Sequence, residues 1–319
     1  MKYIVTGGAG FIGSHLCDEL VSEGHDVVII DDLSSVRREN IEHLLTNNRV
    51  QFFQGSITDL PALEQQCRGV DGVFHQAAFV SVPRSIEDPV LNHTINGTGT
   101  LNVLVAARNA GVWKLVFASS AAVYGNLPGL PLREDMCADP QSPYAVAKLT
   151  GEYYCRLFSS LYGLQTVCLR YFNVYGPRQD PHSDYASVIP RFMHRVKNGQ
   201  PPIIFGDGKQ TRDFVFVKDV VRMNVMAMES EEEGIVNVAS GNETSVNDLA
   251  QTVLSLSARS LSPRYEDERP GEVKRSVADI TKAKEDFGFS PEYDLLRGLL
   301  EMSEYYSGSK PGRPDHRVS

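Results

Sequence analysis

The stretch that decides the fold is YIVTGGAGFIGSHL, Tyr3 to Leu16. An apolar, β-branched run enters glycines at Gly7, Gly10 and Gly13, and a helical pattern follows. Glycines so spaced permit a tight turn, let backbone N–H groups approach a pyrophosphate, and let the helix pack closely on the strand. The helix N-terminus adds free donors and the positive end of its dipole. Three glycines alone say little. Here a strand precedes them, a helix follows, and a second apolar run, DVVIIDD, ends in acid about twenty residues on, the context a dinucleotide site requires. Asp31 closes that run, placed to accept the hydroxyls of an adenosine ribose, and its charge repels a 2′-phosphate, so NAD is expected over NADP. Arg37 and Arg38 read as a solvated face, and Asp32 as a cap of the following loop.

Outward from this unit the texture repeats. DVVIID, VQFFQ, GVFHQAA, KLVFASS and TVCLRY read as further strands with helices between most of them. Such alternation predicts an α/β protein, a Rossmann-type doubly wound parallel sheet. The near-continuous apolar runs fit strands buried on both faces. From about Tyr175 glycine and proline become denser, in YGPRQDPHSDY, NGQPPIIFGDGKQ and DERPGEVKR. The expected division is a dinucleotide-binding domain over 1–174, a smaller C-terminal α/β lobe over 175–307 that could return strands to the sheet, and a loose tail over 308–319 without apolar anchors.

A net charge of −9 across 319 residues gives no electrostatic case for nucleic acid or an anionic membrane. The five cysteines lie far apart with no C-x-x-C spacing, which argues against a zinc site and a disulfide framework and predicts no metal. The chain opens MKYIVTGG, with no apolar signal segment and no run able to span a bilayer, so the cytoplasm is the expected compartment. The sequons at Asn92, Asn96 and Asn242 are then chance matches.

SPYAVAK, Ser142 to Lys148, sets a tyrosine and a lysine four apart with no helix breaker after Pro143. Tyr144 and Lys148 then project from one helix face, one turn apart. An ordinary phenol titrates near pH 10 and is a poor base at neutral pH. A cation one turn away, and a positive nicotinamide ring beside it, would stabilise the phenolate. Tyr144 could then take a proton from a substrate hydroxyl while hydride leaves the same carbon. In ASSAAVYG, Ser119 and Ser120 stand at the carboxyl end of a strand, where ligands of open α/β sheets bind and a hydroxyl can relay that proton. Each feature alone has an ordinary structural explanation: an amphipathic helix, a loop-capping serine.

Together TGGAGFIGSH, SSAAVYG, PYAVAK, YFNVYGPRQ, TRDFVFV and RPGEVKRSVADITKA resemble, in order and spacing, the extended short-chain dehydrogenase/reductase family over essentially the whole chain. Within that family the likeness is to UDP-hexose 4-epimerases. The resemblance implies Ser120, Tyr144 and Lys148 as the catalytic set. It implies NAD contacts at Gly7, Gly10, Phe11, Ile12, Gly13, Asp31, Asp32, Ser56, Ile57, Ala77, Ala78, Asn96, Tyr144, Lys148 and Tyr171. The UDP-sugar falls to the second lobe, with Asn173 on the diphosphate, Arg212 and Arg269 neutralising it, and Glu272 on the nucleotide ribose where the family commonly has Asp. A guanidinium fork suits phosphate better than an ammonium does. Val80, Ser119, Ser120, Gln179, Ser187, Val188 and Ser276 are implied around the sugar.

Departures sharpen the reading. Relatives that dehydrate or decarboxylate carry carboxylates beside the catalytic hydroxyl; this chain has Ala121 and Ala122, which disfavours elimination. Ser276 replaces the bulky tyrosine of epimerases confined to UDP-glucose and UDP-galactose, which favours UDP-GlcNAc and UDP-GalNAc with the unacetylated pair also accepted. Ser56 replaces the Asp that meets the adenine amino group, and Val80 replaces a glycine of some N-acetyl-preferring relatives, so its bulk could narrow the pocket. The rival enzyme is a UDP-glucuronate 4-epimerase; a rival of another class is an NAD-binding regulatory protein without turnover. A homodimer is expected through the segments EDPVLNHTINGTGTLNVLVAARNAG and SPYAVAKLTGEYYCRLFSSLYG, although an apolar stripe would equally face the chain's own sheet.

Overall fold

The computed structural model describes residues 1–36, 38–180, 187–257, 259–268 and 273–307. Arg37, Arg269, Glu272 and the tail from Gly308 lie outside the described residues. Six parallel strands follow the six runs read from sequence: β1 (Lys2–Thr6), β2 (Asp26–Asp31), β3 (Val50–Gln54), β4 (Gly72–His75), β5 (Lys114–Ser120) and β6 (Gln165–Tyr171). A seventh strand, Gly234–Val238, pairs with β6, and the order across the sheet is seventh, β6, β5, β4, β1, β2, β3.

Period-two alternation explains why the runs are apolar throughout. Val27 and Ile29 of β2 enter one core with Leu16 and Leu20 of the helix Phe11–Ser22 and Val220 and Met223 of the helix Val217–Glu229. Val28 and Ile30 enter the other with Val103 and Leu104 of the helix Thr100–Ala110 and Cys155 and Phe158 of the helix Pro143–Tyr162. Each strand therefore needs apolar side chains on both faces. β1 lies between β2 and β4, so the strand order reverses there and a crevice opens beyond their carboxyl ends, where such sheets take ligands.

The segment from Tyr175 returns to the sheet. The chain leaves the sheet after Tyr171, yet Val217–Glu229 packs on the sheet's first core and Gly234–Val238 covers the edge that β6 would otherwise expose. The lobe proper gathers Phe192 and Val196, Ile204, Phe214 and Phe216, Leu249 and Val253, and Leu299 and Met302 into a separate core. Asn92 and Asn96 are buried, so neither sequon is open to modification. Among the described residues no helix is long and apolar enough to cross a membrane.

Candidate active site

The glycine turn leaves room for backbone alone. Gly7 sits at φ +68°, and a Cβ on it would lie 2.6 Å from the Ala77 nitrogen; a Cβ on Gly13 would lie 2.2 Å from the Gly7 carbonyl oxygen. Strand, turn, helix and the β4 loop thus meet at van der Waals distance, as a backbone cradle for pyrophosphate demands. Asp31, 8% exposed at the end of β2, accepts from Ala9 N at 3.0 Å and Leu33 N at 2.9 Å, one bond per oxygen. Burial raises its pKa while those two backbone donors pull it back. Each oxygen keeps a further lone pair for a ribose hydroxyl, so the residues present fit NAD. Asp32 accepts from Ser34 N at 2.9 Å, the loop cap its position suggested. Asn40, which no motif marked, donates to the Ala9 carbonyl at 2.9 Å and fixes the loop from outside.

Several expected cofactor contacts also bond or pack within the protein. The Asn96 amide accepts from Phe79 N at 2.8 Å and donates to Phe79 O at 3.1 Å and Asn92 Oδ1 at 2.8 Å, so its side chain shapes the loop holding Ala77 and Ala78. Tyr171 donates its hydroxyl to Asn224 Oδ1 at 2.9 Å within a Gln76 network. Ile57 is buried in the second core and Ser56 bonds Thr58 Oγ1 at 3.0 Å. Phe11 and Ile12 open the first helix and pack against the lobe core.

The catalytic helix Pro143–Tyr162 starts where its sequence says it should: Ser142 accepts from Ala145 N, Pro143 fills the first position, and Gly163 at φ +72° stops it. Tyr144 N donates to Ser85 Oγ at 3.2 Å, which ties this first turn to the neighbouring short helix Val82–Glu87. Ser120, at the end of β5, accepts from Ala122 N at 3.1 Å and shares a hydrogen bond with the Tyr144 phenol. Lys148 is buried; its Nζ lies 5.8 Å from the Tyr144 ring centroid and 5.0 Å from that of Phe117, and donates to Ala118 O at 2.8 Å. Burial lowers the Lys148 pKa to about 8. The Tyr144 pKa is raised, by burial first, with the Ser120 bond working the other way. The chain's own groups therefore do not lower the phenol as the spacing suggested; desolvation outweighs them.

Ser119 faces the other way from Ser120 and donates to Glu152 Oε1 at 2.5 Å, so its proton is committed to the helix behind the strand. In the lobe, strand pairing collects residues far apart in sequence. Asn173 lies opposite Phe214, two positions after Arg212, and Asn173 N donates to Asp213 O at 3.0 Å. Thr211 N donates to Lys274 O at 2.9 Å, which sets half-buried Ser276 beside the Arg212 strand. Asp213, buried, braces the group by accepting from Ser240 N and Oγ, Gly241 N and Ala278 N. Gln179 Oε1 and Ser187 Oγ are buried with no hydrogen-bond partner among the described residues, and Val188 begins the helix Val188–Lys197. Val80 is 73% exposed, so its side chain is not packed into a wall.

A family model described as the NAD dependent epimerase/dehydratase family matches residues 3–239. The chain belongs to that family. It is 44% identical over 301 residues to a putative UDP-glucose 4-epimerase of Methanocaldococcus jannaschii, covering 94% of this chain and 96% of that protein. A solved UDP-N-acetylglucosamine 4-epimerase of Methanobrevibacter ruminantium, in complex with UDP-N-acetylmuramic acid, superposes with TM-score 0.93 at 39% identity over 97% of this chain and 99% of that one. A UDP-glucuronic acid 4-epimerase of Bacillus cereus, in complex with UDP-glucuronic acid and NAD, superposes with TM-score 0.87 at 35% identity over 97% and 99%. The epimerase family and the site agree on the coarse function: an NAD-dependent 4-epimerase of a UDP-hexose.

Proposed function

We propose that the chain interconverts UDP-GlcNAc and UDP-GalNAc and also accepts UDP-glucose and UDP-galactose. The observation that carries the sugar preference is Ser276, a small, half-buried side chain two residues beyond the Lys274 that bonds the backbone of Thr211. Bound NAD supplies the hydride acceptor, then the donor, and a positive ring. Tyr144 takes the proton of the C4 hydroxyl as the C4 hydride departs, and returns it when hydride comes back to the other face of the 4-keto sugar. Ser120 holds the reacting oxygen and relays its proton to the phenol. Lys148 adds the cation nearest the phenol. Ala121 and Ala122 put no acid beside the sugar, so no hydroxyl is protonated to leave. Asn173, Arg212 and Arg269 grip the diphosphate, so binding energy comes from atoms remote from C4 while the hexose turns over.

The test is incubation with NAD⁺ and no other redox partner, separately with UDP-GalNAc, UDP-galactose and UDP-galacturonate, with products resolved by anion exchange. Conversion of UDP-GalNAc without net NADH is expected. Turnover of UDP-galacturonate alone would overturn the reading in favour of the glucuronate enzyme. Ser276→Tyr should remove activity on the N-acetylated pair and spare UDP-galactose. Equal loss on both would show that Ser276 is not a size gate.

A second copy of the chain is the partner we propose. Val146, Tyr153, Leu157 and Leu161 are exposed along one face of the catalytic helix, beside exposed Ile86, Val90 and Leu91. A stripe of this kind exceeds scattered surface apolarity and suits a helix-to-helix interface. Sedimentation at micromolar concentration should give twice the 35.3 kDa of one chain. A monomer mass would sink the proposal.

A further inference from the structure

Directly behind the reacting groups lies a buried ion pair that the mechanism does not use. Arg170 donates from Nε to Glu152 Oε1 at 2.8 Å and from Nη2 to Oε2 at 2.7 Å, with side chains 3% and 1% exposed. The Ser119 hydroxyl completes the Glu152 carboxylate at 2.5 Å. The Arg170 guanidinium lies 4.7 Å from the Tyr124 ring centroid, and Tyr124 donates to Asn237 Oδ1 at 2.7 Å. Asn237 in turn donates to Leu132 O at 2.9 Å and Asp279 O at 3.1 Å, which carries the network into the lobe.

Its members are placed next to the catalytic set, not in it. Glu152 lies one turn beyond Lys148 and two beyond Tyr144 on the same helix. Ser119 immediately precedes Ser120, and Arg170 stands opposite Ser119 in the β5–β6 register. A buried ion pair is weak evidence for stability, since well-packed apolar side chains of similar volume serve as well. What they lack is direction: a two-pronged guanidinium–carboxylate pair fixes rotation and slide of helix against strand. Proton transfer needs that alignment, because a misplacement of about 1 Å costs about a hundredfold in rate.

We infer that Glu152, Arg170 and Ser119 are positioning residues that hold the catalytic helix in register with β5, and so hold Tyr144 against Ser120. The inference rests on the epimerase reading for its kinetic readout. Two variants test it: Ser119→Ala, which frees β5 from an intact ion pair, and the double variant Glu152→Met with Arg170→Met, which removes both charges at similar volume. Both should fold, retain NAD and keep KM for the UDP-sugar within about twofold, while kcat falls about tenfold for the loss of one hydrogen bond and about a hundredfold for the loss of the pair. Amide exchange at Ala122, whose N–H donates to Ser120, should quicken in the double variant. Folded variants with parental kcat and unchanged Ala122 exchange would overturn the positioning role. A parent chain inactive on every UDP-hexose would instead refute the epimerase reading, and Ala122 exchange would still decide this one.

Discussion

Tyr144→Phe should reduce turnover about a thousandfold while the protein stays folded and charged with NAD, because the substitution deletes the atom that takes the C4 proton and little else. The ring stays, with Lys148 Nζ at 5.8 Å from its centroid. The turn around it is held by groups the substitution does not touch: the Ser142 cap, Ser85 on the backbone nitrogen, and the Lys148 bond to Ala118 O. Among the described residues the side-chain bond lost is that to Ser120, so the change in stability should stay within about 1 kcal/mol. The measurement is kcat beside the thermal midpoint and the NAD content of the purified variant. Turnover near the parent's would refute Tyr144 as the base. Loss of NAD together with turnover would assign the phenol to cofactor binding. Substrate should also fail to reduce the bound cofactor in a single turnover, since hydride cannot leave C4 while its hydroxyl keeps the proton.

The sheet was legible because strands buried on both faces need uninterrupted apolar runs, and the glycine turn because its backbone geometry tolerates no side chain. Helical spacing placed Tyr144 and Lys148 on one face, and only the family resemblance gave that face a catalytic reading. The inward turn of Ser119 was legible too: neighbours in a strand face opposite sides, so a Ser120 turned to Tyr144 leaves Ser119 for the helix behind. Asn96 and Tyr171 mark a limit of that reading. Sequence places them at the cofactor crevice, but an amide or phenol in a crevice can as well satisfy the backbone that builds it, and only the fold distinguishes Phe79 or Asn224 from a ligand. Glu152 and Arg170 carried no signal at all. Eighteen positions apart, they meet because the helix from Pro143 returns antiparallel to the strand that follows it, and any surface ion pair would look the same in one dimension. The return of the lobe segment to the sheet could be read only as a possibility, because a chain that leaves a sheet at Tyr171 and re-enters it at Gly234 belongs to both parts.

Lys148→Met should abolish useful turnover and yet stabilise the protein at neutral pH. The lysine pKa falls from 10.5 to about 8 because burial disfavours its charged form. At pH 7 it is charged in both folded and unfolded chains, and the folded one carries the full desolvation penalty, about 3 kcal/mol at about 1.4 kcal/mol per unit. Methionine removes that penalty and also the bond to Ala118 O, worth about 1 kcal/mol, for a net gain of about 2 kcal/mol. The sign with pH follows from proton binding. Between about 8 and 10.5 the unfolded chain holds a proton the folded one has released, so the parent's stability rises with pH from this group and the advantage of the methionine variant shrinks toward zero and then below it. Turnover should fall at least a hundredfold throughout, because the raised Tyr144 phenol loses the only cation the protein holds against its ring among the described residues. Denaturant unfolding of both proteins at about pH 7 and about pH 10, with kcat at neutral pH, separates the two effects. A variant less stable than the parent at neutral pH would mean that the ammonium is solvated after all, whereas one both stabilised and active would show that the phenolate needs no cation from Lys148. The expected pairing, a steadier fold with a dead site, follows from the physics that makes the residue useful: only a cation kept out of water at a cost to the fold acts strongly on a phenol across a few ångströms.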